Sequence, residues 1–302
     1  MAFHHHSIIL AVFFSVAILI FPLPASADWT PLIERLVADK FDEQTITTLF
    51  TQPGVKFDPN VMSCKIKEIV RNRSHKPDAA SARKVKAAYA RFLQPEVISQ
   101  ANAYAQRNEI ALQNIQTNYC VPKEIIVSIV LVETELGKHL GNRGAFNTLA
   151  SMAMSSDLET IRPYLAPDLI TDRNENLVKK RCRQKANWAY TELKALIRHA
   201  SERGIDPLSI PGSVYGAIGI CQFMPSQISK YGVDADRDGH INLFSDEDAL
   251  FSVAMYLRGH GWKCGMSKKR QYRVIRAYNH SNIYASTVLG VAEKLKTKDG
   301  GK

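Results

Sequence analysis

One stretch of this chain is too apolar to leave in water, and whatever fold forms must close around it. Residues 121–137 read Val-Pro-Lys-Glu-Ile-Ile-Val-Ser-Ile-Val-Leu-Val-Glu-Thr-Glu-Leu-Gly. Pro122 suits the first turn of a helix and Gly137 its end. The β-branched content would also allow a buried strand, but the length favours a helix. Ile126, Ile129, Val130 and Glu133 fall at i, i+3, i+4 and i+7, so Glu133 continues the stripe that should face the core. An apolar surround disfavours the charged form of a carboxyl and raises its pKa, as a general acid near neutral pH requires. The plainer alternative is a helix-end glutamate turned to solvent or paired with Lys or Arg. Glu135 falls on another face, where solvation is expected.

The first 27 residues read as a signal peptide. An apolar run over residues 8–21, broken by Ser15, is followed by Pro-Leu-Pro-Ala-Ser-Ala, with cleavage expected after Ala27. The n-region has no Lys or Arg, only His4, His5 and His6. The run is shorter than the roughly 20 residues of a membrane span, and no cysteine near the cleavage site offers a lipid anchor. The product expected is periplasmic or secreted, monomeric, and without a transmembrane anchor. The chain carries a formal net charge of +10, which suggests an anionic partner such as cell-wall polymer or a membrane surface. The basic residues are scattered and form no stripe interleaved with aromatics, so nucleic acid is not expected.

The five cysteines are Cys64, Cys120, Cys182, Cys221 and Cys264, and they show no metal-ligand spacing. Disulfides are plausible in an oxidising compartment, but sequence does not choose their pairing. Cys120 and Cys221 read as buried small hydrophobes.

Punctuation falls at 51–60, 72–78 and 161–176, the last carrying two prolines and reading as an excursion from the main fold. Helical patterns cover 28–50, 79–92, 95–119, 122–136, 185–203, 246–260 and 282–296. The fold class is therefore mainly α, with some α+β character. Residues 28–302 form the expected mature domain, with an N-terminal helical part over 28–94.

The sharpest motif is Asp234-Ala-Asp-Arg-Asp-Gly-His-Ile-Asn242. Oxygen ligands at positions 1, 3 and 5, glycine at 6 and a carbonyl at 7 match an EF-hand-type calcium loop. Position 12 is Ser245 rather than Glu, so the closing ligand should come from the acids that follow. Crowded aspartates repel one another unless a cation neutralises them. A structural Ca2+ is expected, and no organic cofactor. Upstream, Gly212, Gly216 and Gly219 permit close backbone approach, and Gln222 beside Phe223 suits a sugar. Downstream, Tyr278 and Asn279 repeat that combination, with Tyr256 before and Tyr284 after. Each cluster alone is equally compatible with ordinary packing.

Taken in order, these clusters resemble the lytic murein transglycosylases of the membrane-bound lytic transglycosylase B family. The matching residues are Val132-Glu-Thr, Asn147-Thr-Leu-Ala, Gly216-Ala-Ile-Gly, Gln222-Phe-Met-Pro, Asp238-Gly-His-Ile-Asn-Leu, Gly259-His-Gly-Trp and Ala277-Tyr-Asn. The likeness covers roughly 95–295. It implies a lysozyme-like fold with an EF-hand-like metal loop that cleaves peptidoglycan glycan strands. By the resemblance, Glu133 is the sole catalytic acid, and Ser213, Gln222, Tyr256, Tyr278 and Asn279 line a sugar groove. Asp234, Asp236, Asp238, the His240 carbonyl and Asp248 hold the metal. Residues 155–183 look like an insertion where the family has a pair of substrate-contacting arginines, for which Gln184 and Lys185 are the nearest counterparts. Tyr89 is a loose match to an upstream groove tyrosine. The resemblance implies a 1,6-anhydro product; a hydrolytic muramidase and a non-catalytic wall-binding module are the rival readings.

Overall fold

A computed structural model describes residues 28–74 and 79–299. The signal-peptide expectation, with its cleavage after Ala27, lies outside the described residues. Thirteen α-helices occur among them: α1 (Thr30–Ala38), α2 (Glu43–Phe50), α3 (Pro59–Ser74), α4 (Ala79–Ala90), α5 (Pro95–Arg107), α6 (Glu109–Tyr119), α7 (Lys123–Thr134), α8 (Ala145–Met154), α9 (Glu175–Glu202), α10 (Pro225–Tyr231), α11 (Asp246–Gly259), α12 (Lys268–Tyr278) and α13 (Asn282–Asp299). A two-residue strand β1 (Arg143–Gly144) pairs antiparallel with β2 (Pro211–Gly212). Among the described residues no single helix is long and apolar enough to cross a membrane.

The apolar segment forms α7, the centre of the molecule. Ile126, Val127, Ile129 and Val130 are fully buried, enclosed by α5, α6, α11 and α13. The helix is apolar on nearly every side because neighbours cover nearly every side. A second layer forms where α8 lies along α9, which at 28 residues runs about 42 Å. The N-terminal helices join this same core. Trp29 packs on Phe50 at 5.3 Å between ring centroids, and Phe50 on Phe146 at 5.2 Å.

Two long helical patterns are each broken in two. The 28–50 pattern stops where Lys40 turns left-handed at φ 70°, and Asp42 caps the second helix by accepting from the Thr45 N–H at 2.8 Å. The 95–119 pattern breaks at Asn108, whose amide nitrogen folds back onto the Tyr104 carbonyl at 3.2 Å. Residues 161–176 are not an excursion. Leu158, Ile161 and Leu165 are buried, and Arg162 bridges Glu159 at 2.7 Å and Glu175 at 2.8 Å. The first turns of α9 already lie within the expected insertion, with Val178 and Cys182 buried.

Cys120 and Cys264 form a disulfide across 144 residues of chain, which corrects the reading of Cys120 as a buried hydrophobe. Cys182 and Cys221 are buried thiols, and Cys64 is exposed.

Candidate active site

The chain needs a sharp stop to α7 before the glycine segment can reach it. Glu135, Leu136 and Gly137 provide it, all left-handed at φ 51°, 64° and 85°. That turn swings Glu135 into a pair with Arg91 at 2.6 Å and a contact with His139 at 3.3 Å, so it is paired rather than simply solvated. The buried Thr134 hydroxyl then donates to the Ile220 carbonyl at 2.8 Å and accepts from the Gly137 N–H at 3.1 Å. This pins the end of the acid-bearing helix to residues 218–223. Thr134 falls within the Val132-Glu-Thr match, but nothing in the sequence marks its bond to Ile220, since that partner lies 86 residues away.

That segment is a tight hairpin, in which Ile218 and Phe223 exchange backbone hydrogen bonds at 2.8 and 3.1 Å. Gly219 makes it possible. Its φ is +73°, and a Cβ there would stand 2.5 Å from the Leu243 Cβ and carbonyl oxygen. Gln222, also left-handed, donates from its amide to the Gly219 carbonyl at 3.0 Å. Ser213 organises the preceding turn, its hydroxyl accepting from the Ala217 N–H at 3.0 Å.

Glu133 is half-buried on the last turn of α7, and its surroundings push its pKa up to about 7. Burial is the cause, opposed in part by the Tyr284 hydroxyl. Tyr284 is itself buried, and among the described residues its hydroxyl has no hydrogen bond of good geometry. Its pKa rises well above the ordinary value because of burial and the neighbouring Glu133 charge. Tyr278 donates to the Cys221 carbonyl at 2.6 Å and also feels the Glu133 charge, as does Tyr89 from the N-terminal side. A single carboxyl among three phenols and a buried thiol is therefore the electrostatic centre. Among the described residues, no second acid contributes to the shift of Glu133.

Tyr256 stands behind Tyr278, edge-on at 4.8 Å, stacked on His260 at 4.0 Å, with its hydroxyl on the Ala277 carbonyl at 2.9 Å. It is buried, and it steadies the end of α12. Asn279, the residue that closes α12, is exposed.

In the aspartate loop, carboxylate oxygens of Asp234, Asp236 and Asp248 lie within 4.8 Å of one another. Asp248 is buried and accepts the N–H of Ala235 at 2.8 Å and of Asn242 at 2.6 Å. Burial, with Asp236 and Asp234 adding repulsion, raises its pKa. Asp238 lies outside that set of three and accepts the His240 N–H at 2.8 Å. Ser245 caps α11 instead, accepting the Asp248 N–H at 3.4 Å. Three converging oxygen donors, one buried, are a fit donor set for a hard cation such as Ca2+.

This is a helical, lysozyme-like fold carrying a perturbed acid at the end of its central helix. The family described as Transglycosylase SLT domain matches residues 25–270, and the chain belongs to it. The chain is 32% identical over 175 residues to the membrane-bound lytic murein transglycosylase B of Escherichia coli K12, an alignment spanning 58% of this chain and 41% of that protein. The fold is similar to that of the Escherichia coli lytic transglycosylase Slt35, solved with bulgecin A, at a TM-score of 0.69 and 23% identity over 90% of this chain and 96% of that one. Slt35 has also been solved with calcium, at a TM-score of 0.68 and 23% identity over the same shares of the two chains. SltB3 of Pseudomonas aeruginosa, solved with NAG-anhNAM-pentapeptide, superposes at a TM-score of 0.66 and 22% identity over 89% of this chain and 78% of that one.

Proposed function

We propose that the chain is a peptidoglycan lytic transglycosylase that cleaves the β-1,4 bond between N-acetylmuramic acid and N-acetylglucosamine. The observation that carries this reading is a lone carboxyl, Glu133, with its pKa raised to about 7 by burial among tyrosines. Glycosidases that use water or an enzyme nucleophile ordinarily need two carboxylates across the bond. A single carboxyl suffices when the nucleophile belongs to the substrate. Glu133, protonated, gives its proton to the leaving glycosidic oxygen as the C1–O bond breaks. The carboxylate so formed takes the proton of the muramyl C6 hydroxyl, whose oxygen bonds to C1. The acid is regenerated, no water is consumed, and the product is 1,6-anhydro-N-acetylmuramic acid. Tyr278 and Gln222 would orient the sugar beside Glu133, with Asn279, Ser213 and Tyr256 supporting the surface around them.

Asp234, Asp236, Asp238, Asp248 and the His240 carbonyl would hold Ca2+. When bound, the ion neutralises the crowded carboxylates and ties residues 233–248 to the start of α11. It takes no part in the reaction, and no organic cofactor is needed. Export to the periplasm or beyond, after cleavage near Ala27, brings the enzyme to its polymer.

Digestion of purified sacculi followed by mass spectrometry tests the proposal. Wild-type protein should release muropeptides lighter by one water than the hydrolytic products, and Glu133→Gln should release none. Products with reducing ends would assign a muramidase instead. Binding without release from the wild type would leave only a wall-binding module.

A further inference from the structure

The outward face of α12 breaks the ordinary rules of helix design. Lys268, Lys269, Arg270, Arg273 and Arg276 occupy eleven residues that contain no acid, and all five are exposed. Three stand in the first turn, at the positive end of the helix dipole, where acids would stabilise. Lys269, Arg273 and Arg276 share one face at i, i+4 and i+7, so like charges lie next to one another. Among the described residues only Lys268 has an acidic partner, Glu293 at 2.6 Å, while Arg276 bonds the neutral Asn282 amide oxygen at 2.8 Å. Local rules broken without a compensating internal contact mark places held for another purpose.

The opposite face explains why the helix stays in place. Val274 and Ile275 are buried, and Tyr278 closes the helix with its hydroxyl on Cys221. The C-terminal end of α12 thus reaches the surroundings of Glu133 through Tyr278, while its basic residues face away from them. None of the large exposed apolar side chains, Val85, Ile110, Tyr164 and Val214, lies on α12, so the face has nothing to insert into a bilayer.

We infer that the outward face of α12 is an exosite that holds the carboxylate-bearing peptide stems of peptidoglycan outside the catalytic centre. This rests on the proposed substrate and adds to it that a polymeric, anionic wall is preferred over short neutral glycan. Lys269, Arg270 and Arg273 supply the charge, and the contact is electrostatic and therefore screened by salt.

The test is Lys269→Ala/Arg270→Ala/Arg273→Ala built in the Glu133→Gln background, pelleted with purified sacculi across a sodium chloride series. Affinity should fall about tenfold at low salt, as three exposed pairs allow, and its salt dependence should flatten. A Lys269→Arg/Arg270→Lys/Arg273→Lys variant should bind as the parent does. With Glu133 intact, the triple alanine variant should lose turnover on sacculi and keep it on short peptide-free glycan. Unchanged affinity and salt slope would overturn the inference. So would an equal loss on both substrates, or a loss of binding confined to phosphatidylglycerol vesicles. The pelleting comparison needs no cleavage, so a wild type that releases no fragments would sink the proposed activity without deciding this point.

Discussion

Replacing Glu133 by Gln keeps the shape of the side chain and removes its titration. The carboxyl has a pKa of about 7 in the fold against 4.5 for the free group, because burial penalises the charge. A raised folded pKa means that the wild type is favoured while the acid stays protonated. That advantage is lost as pH climbs from 4.5 through 7. Between pH 5 and pH 8 linkage gives about 2.5 kcal/mol lost by the wild type and not by the Gln variant. For a chain of this size, at about 2.1 cal/mol/K of unfolding entropy per residue, the variant should gain about 4 °C in relative Tm over that interval. Differential scanning calorimetry of both proteins across the range measures it. Activity should follow the same group: wild-type turnover of sacculi should fall about tenfold per pH unit above 7, as the acid form is depleted. A Tm difference that stays flat with pH, or an alkaline limb beyond pH 9, would refute the reasoning from burial.

Opening the Cys120–Cys264 bridge with Cys120→Ser should cost about 5 kcal/mol on the chain-entropy account of a 144-residue loop, seen as a fall in denaturation midpoint. Gly219→Ala should lose about 1–3 kcal/mol, since its Cβ would strike Leu243, while Gly261→Ala, with φ +94° and open space, should lose only about 1 kcal/mol; urea melts compare them. Adding Ca2+ to about a hundred times its Kd should raise wild-type stability by about 2.7 kcal/mol. Asp248→Asn should abolish that response, and calorimetry with and without chelator reads both.

The sequence made the central helix legible because an apolar run with Pro122 before it and Gly137 after it has few other solutions. It placed Glu133 on the Ile126–Ile129–Val130 face, where the fold keeps it. Other helices escaped for physical reasons. The polar residues of α8, Asn147 and Ser151, bond to residues 54–58 rather than marking a solvent face, and α8 is buried on nearly every residue. The α12 segment carries an apolar stripe, Val274, Ile275 and Tyr278, but its charged majority hides it. Most of α3 lies between the turn signals at 51–60 and 72–78, and its mixed charged and apolar residues form only a weak period. Glu135 departs from the helical-wheel expectation because the helix ends at Thr134. The Thr134–Ile220 bond, the Tyr278–Cys221 bond and the disulfide pair residues 57 to 144 positions apart, and only tertiary packing brings them together.

The disulfide has a mechanical side. Cys120 lies just before α7 and Cys264 just before α12, and the Trp262 indole N–H donates to the Cys120 carbonyl at 2.9 Å. Two rods are therefore fastened together near their N-terminal ends, and Glu133 and Tyr278 ride near their far ends, which the 218–223 segment braces. From Lys123 to Glu133 is about 15 Å of helix, so a tilt of about 4° at the fastened end displaces the carboxyl by about 1 Å. An error of that size at a reacting group costs on the order of a hundredfold in rate. The covalent joint acts as the fulcrum of a pair of calipers, setting the gap between two tips that it never touches.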